Sequence, residues 1–176
     1  MPYAYYAKLN AKDKAIYRRS DAIQALTLSG AWSLSPLVPE LQNALTNEDR
    51  SATERLARDL TTGLLENLGV DPVMVKVLAV RPSEDWGELH GLYEPREGRR
   101  HARVTVWMRT AHHKRIVAFK TFLRTLLHEV CHHLDYELLE LEDSFHTEGF
   151  FKRESSLFHQ LVDDRGGGRA RASKTR

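Results

Sequence analysis

The period of the hydrophobic positions changes twice along the chain. Over residues 11–29, Ile16, Ile23 and Leu26 recur at helical spacing and Gly30 stands where a helix would stop, which predicts a first helix. Residues 32–39, with two prolines and two serines, read as a loop leading into a short helix near 39–46. A clearer helix follows. Ser51 and Glu54 have capping-box spacing, Leu56, Leu60, Leu64 and Leu68 repeat every fourth position, and Gly69 supplies the stop. At residues 73–80 the run VMVKVLAV, bounded by Asp71-Pro72 and Arg81-Pro82, predicts a buried strand. Two more strands are expected at 89–93 and 103–109, separated by the polar turn EPREGRR. From 113 or 114 to about 139 the helical period returns. Ile116, Phe119, Phe122, Leu123, Leu126, Leu127, Val130 and Leu134 make that helix apolar over most of its girth, as a central helix must be. A last short helix is expected over 150–162. The final RGGGRARASKTR has five basic residues and no acidic one, a composition that predicts disorder.

These elements predict an α+β chain: a helical segment over 1–70 packed on the rest, a core over 71–162 with a small mixed sheet, and a basic tail over 163–176. At 41% hydrophobic and 28% charged, with a formal net charge of +2, the composition is that of a soluble globular protein. The single cysteine, Cys131, excludes an internal disulfide framework and suits a reducing compartment. It falls on a different helix face from its neighbouring histidines and reads as a small buried hydrophobe. No apolar run approaches the roughly 18 residues of a membrane span, and the first residues lack a signal-peptide pattern. The expected location is cytoplasmic, with no membrane partner.

Nine histidines change the picture, because five of them fall between His128 and His159. Inside the predicted central helix lies His128-Glu129-Val130-Cys131-His132, an H-E-x-x-H motif. Positions i and i+4 stack on one helix face, so both imidazoles reach one ion, and neutral imidazole is a favoured ligand of Zn2+. Glu129, next to the first ligand, is placed to act as general base toward a metal-activated water. The alternative is a hydrogen-bonded pair of core histidines, which the cost of burying two imidazoles and a carboxylate disfavours. The third ligand is open among His146, Glu154 and Glu148, with His146 preferred because the chain after the helix can return it to the site. Asp135, one turn beyond His132, either orients a ligand imidazole or is a solvated helix position.

His128–His132, thirteen intervening residues, His146 and then the aromatic Phe150 resemble the SprT-like (Spartan-type) zinc metalloproteases, over residues 73–158. Thr147 stands where that family usually has glycine, and no zinc ribbon follows. The segment Glu154-Ser155-Ser156-Leu157-Phe158 is also similar, more weakly, to a helix of the ImmA/IrrE-type proteases in which the glutamate is a ligand. Both resemblances imply a zincin-like core around the H-E-x-x-H helix and hydrolysis of a protein or peptide substrate. They imply that an edge strand borders the cleft and pairs with extended substrate. Val104, Val106 and Met108 would supply that strand, unless it is simply interior. Tyr93 and Trp107 either line the cleft or pack in the core.

Charge is segregated. Residues 96–124 have nine Lys/Arg and one acidic residue, whereas 135–148 have six acidic residues and no Lys/Arg. The SprT resemblance implies nucleic-acid association for the basic stretch, and a solvated face is the alternative. The acidic stretch either attracts basic substrate segments or solvates the cleft rim. Three functional readings follow: a zinc metallopeptidase, a non-catalytic zinc-containing regulatory protein, and a DNA-associated SprT-like factor.

Overall fold

A computed structural model describes residues 2–163; of the expected basic tail, 164–176 lie outside them. The architecture is α+β. Helix α1 (Ala11–Ala22) starts at Asn10, whose side chain accepts from the Asp13 N–H at 2.9 Å. It stops at Ala22 and not near residue 29. The buried Arg153 guanidinium donates to the Ser20 and Ile23 carbonyls at 2.6 and 2.5 Å, which takes the acceptors a further turn would need. The chain then runs beside the last helix, where Leu26 and Leu28 hydrogen-bond Gln160. Gly30, at φ 70°, opens a short 3-10 turn (Ala31–Ser33) and ends no helix.

Helices α2 (Leu37–Thr46) and α3 (Arg50–Asn67) pack on each other. The N-cap of α3 is Asp49, which accepts from the Ala52 N–H at 2.9 Å, so Ser51 lies inside the helix and there is no capping box. Glu54 has a different task. It accepts from the Val77 N–H at 3.0 Å while Arg50 donates to the Val77 carbonyl at 3.1 Å. Val77 belongs to strand β1 (Met74–Val80), and these two side chains take up its outward backbone groups.

The sheet combines β1 with β4 (Gly91–Glu94) and β5 (Arg103–Arg109); β2 (Ser83–Glu84) and β3 (Gly87–Glu88) form a separate small hairpin. Its order is β1-β5-β4, with β5 parallel to β1 and antiparallel to β4. Residues 104–108 are all buried. Val104, Val106 and Met108 are therefore interior, and the edge-strand expectation for them is corrected: β4 is the edge. Trp107 is core.

Helix α4 (Phe119–Glu137) starts later than its periodicity predicts. Ile116 pairs with Arg109 and the Val117 N–H donates to the Met108 carbonyl at 2.7 Å, so these two apolar residues extend the sheet. Phe122, Leu123, Leu126, Leu127, Val130 and Leu134 of α4 are buried in a single cluster that continues into α2, α3, β1, β5 and the last helix, α5 (Glu148–Asp163). Cys131 is buried with them.

Candidate metal centre

Residues 128–132 lie within α4, and its 3.6-residue turn puts His128 and His132 one above the other. The chain leaves α4 at Glu137, passes through an irregular stretch and re-enters helix at Glu148. His146 comes from that stretch and is the most exposed of the three imidazoles. Its Nε2 lies 3.0 Å from His128 Nε2 and 3.1 Å from His132 Nε2. Metal arms of about 2.0–2.1 Å in a tetrahedron would set neighbouring donors roughly 3.3 Å apart, so the spacing suits one ion shared by three nitrogens.

The opposite ring nitrogens are spoken for. His128 Nδ1 is 3.0 Å from Glu154 Oε2, so its N–H donates to the carboxylate. His132 Nδ1 is 2.7 Å from Ser144 Oγ, which itself donates to Asp135 Oδ2 at 2.8 Å. Ser144 has given up its proton, so it accepts from the His132 Nδ1–H. Both imidazoles are thereby held with bare Nε2 atoms facing His146. Burial, with His128 and His146 nearby, pushes the His132 pKa down to about 3; desolvation and His128 lower that of His146 too. Neutral rings are what a metal requires.

Beneath the histidines lies Phe150, fully buried, its ring centroid 5.0, 4.8 and 5.3 Å from those of His128, His132 and His146. Behind Ser144, Asp135 pairs with Arg153 at 2.8 Å, and both side chains are completely buried. Burial raises the Asp135 pKa, and the Arg153 charge opposes that rise. Asp135 thus acts on His132 through Ser144, and the solvated alternative is set aside.

Glu129 faces a cleft of about 740 Å³ bordered by β4 on one side and by α4, His146 and Phe151 on the other. A Cβ at Gly91 would fall 2.5 Å from Glu129 Oε1, so glycine at that point of β4 lets the edge strand approach the carboxylate. Burial raises the Glu129 pKa to about 7, against a lowering by His128. Tyr93 lines the cleft, stacks near His132 and Tyr136, and hydrogen-bonds His133 Nδ1 at 3.1 Å. His133 Nε2 sits 3.0 Å from the Asp71 carbonyl, which fixes the proton on Nε2 and makes Tyr93 the donor to Nδ1.

Of the predicted site residues, His128, Glu129, His132 and His146 come together. Glu154 supports His128 from behind, and Glu148 pairs with Lys152 at 2.8 Å. Val104, Val106 and Met108 are not among the cleft-lining residues. Thr147 caps α5: its Oγ1 accepts from the Phe150 N–H at 2.9 Å, a task glycine has no side chain for. Ser144, Arg153 and Gly91 carry no sequence signal of their own; a cation at position 153, between the apolar Phe150 and Leu157, was the one available hint. Within the basic stretch, Arg96, Arg100, Arg103, Arg109 and Arg124 are engaged in ion pairs. Among the described residues no helix is long and apolar enough to cross a membrane. Comparison with protein-family models, curated proteins and solved structures gives no match to this chain.

Proposed function

We propose that the chain is a zinc-dependent metallopeptidase with a zincin-like core, acting on protein or peptide substrates. The observation that carries this reading is the convergence of three imidazole Nε2 atoms beside the Glu129 carboxylate in one open cleft. The donor set fits zinc: neutral imidazoles, Nδ1–H groups of His128 and His132 already engaged, and three ligands with an open side, the pattern of catalytic zinc. His128, His132 and His146 would hold the ion. When bound, zinc supplies a Lewis acid that acidifies water and polarises a carbonyl.

The remaining work falls to the chain's own groups. Glu129 takes a proton from the attacking water and returns it to the leaving amine, so the carboxylate ends as it began. Burial, which raises the Glu129 pKa in the metal-free chain, would oppose the lowering that a bound cation brings. The β4 edge, open toward the cleft, offers backbone groups to an extended peptide. Tyr93, pinned by His133, fixes the wall against which His132 stacks.

Metal content and hydrolysis of denatured casein test this together. Wild type and Glu129→Gln are expected to hold about one zinc per chain, with hydrolysis lowered roughly 10²-fold or more in the variant. His146→Ala is expected to lose the metal. An active Glu129→Gln, or a wild type that takes up no metal when zinc is supplied, overturns the reading. Zinc retained in His146→Ala moves the third ligand to Glu154. Zinc without hydrolysis in any form leaves a non-catalytic zinc protein.

A further inference from the structure

We propose that the N-terminal segment, residues 3–23, is a clasp that holds the His146 loop in ligating position, with Tyr5 and Asp21 as its positioning residues. The inference rests on the metal-site reading above. His146 sits on irregular backbone between α4 and α5, where no helix or strand ladder fixes it. Backbone without a ladder must find its hydrogen bonds elsewhere. Here the His146 carbonyl and the Gly149 N–H find theirs at the other end of the chain.

Three contacts bracket the ligand. The Tyr5 hydroxyl donates to the His146 carbonyl at 2.8 Å. Ser20 Oγ meets the buried Thr147 Oγ1 at 3.3 Å. Asp21 Oδ1 accepts from the Gly149 N–H at 2.8 Å, in the first turn of α5, where free N–H groups favour a carboxylate. The two backbones are close enough there that a Cβ on Gly149 would lie 2.5 Å from the Asp21 carbonyl oxygen. On the near side of the loop, Tyr17 is buried and its ring lies 6.3 Å from Phe145. Tyr5 packs edge-on against Tyr17 at 5.8 Å. At the start of the loop Arg19 pairs with Glu142 at 2.9 Å. Residues immediately before, at and after the ligand are thus each fixed by a side chain from residues 3–23.

A ligand held this way contributes fully only while its backbone stays within about 0.5 Å of the productive position. The segment therefore belongs to the metal centre, although none of its residues touches the ion. Supporting groups one step removed from a metal typically change affinity 10–100-fold.

The test compares the full chain with Tyr5→Phe, Asp21→Ala, Asp21→Asn, His146→Ala and Val38→Ala, a buried control in α2. Zinc and Co2+ affinities are measured by chelator competition, and the visible spectrum of the Co2+ form reports ligand geometry. Tyr5→Phe and Asp21→Ala are expected to bind both metals about tenfold more weakly, with a shifted Co2+ band. Asp21→Asn keeps the acceptor and is expected to restore both readouts. Val38→Ala is expected to lower thermal stability and leave affinity and spectrum unchanged. Wild-type binding and spectrum in Tyr5→Phe and Asp21→Ala, while His146→Ala loses the metal, would overturn the clasp alone. Equal binding in wild type and His146→Ala would remove His146 from the ligand set and the clasp with it, and binding in neither would overturn the metal-site reading as well.

Discussion

His128 and His132 stand one turn apart on α4, while His146 stands on irregular backbone whose neighbours include Tyr5, more than a hundred positions away in sequence. On α4 the spacing of the two imidazoles is a property of any α-helix, obtained with the first turn that forms. For His146 the position exists only after α1, α4 and α5 have docked. One half of the centre is local geometry; the other is a product of the finished fold. Their junction is Ser144, which accepts from His132 and donates to Asp135.

The largest expected effect breaks the part that depends on docking. Arg153 joins Asp135 of α4 to the end of α1 from within α5, through Asp135, Ser20 and Ile23. Arg153→Met leaves Asp135 buried without its cation and is expected to cost about 3–5 kcal/mol. Urea unfolding at neutral pH measures it, and a loss below about 1 kcal/mol would show that the docked half needs no such tie.

A middling effect isolates the helical half. In metal-free protein the Glu129 pKa is raised to about 7 from an ordinary 4.5. The folded state then holds this proton more tightly than the unfolded chain. The associated stability is complete below the unfolded value and is lost as pH climbs through about 7. Glu129→Gln removes that loss, so metal-free Glu129→Gln should exceed wild type by about 3 kcal/mol near pH 8 and match it near pH 4. Thermal melts across that range decide. A difference that does not change with pH would mean the helix places this carboxylate in ordinary solvent.

The smallest effect is at the junction. Ser144→Ala leaves both halves intact and removes the acceptor from the His132 Nδ1–H. Zinc affinity should fall roughly tenfold, and the metal-free chain should lose about 1 kcal/mol as the buried Asp135 carboxylate loses a donor. A large drop in melting with no change in affinity would make Ser144 part of the scaffold alone.

The same division explains what could be read from sequence. The α4 motif, the leucine repeat of α3 and the strand at 103–109 were legible because each is a period or spacing along one segment. Three of the departures lie where a distant group intervened. Arg153 cuts α1 short, Val77 draws Glu54 away from a capping role, and pairing with Arg109 and Met108 keeps 116–117 out of α4. The place of β5 in the sheet was not legible either, since a strand apolar on both faces fits an edge beside a cleft or the centre of a sheet. Asp135 was legible as a candidate, but its route through Ser144 was not, because the hydroxyl arrives from the far side of a turn.

Glu54 and Arg50 do more than finish a strand. A sheet with both borders open can lengthen without limit as copies add to either side, the route by which β proteins polymerise. Here one border ends in a carboxylate and a guanidinium already bonded to Val77. At Val77 a strand approaching this border would find the backbone N–H and carbonyl already taken.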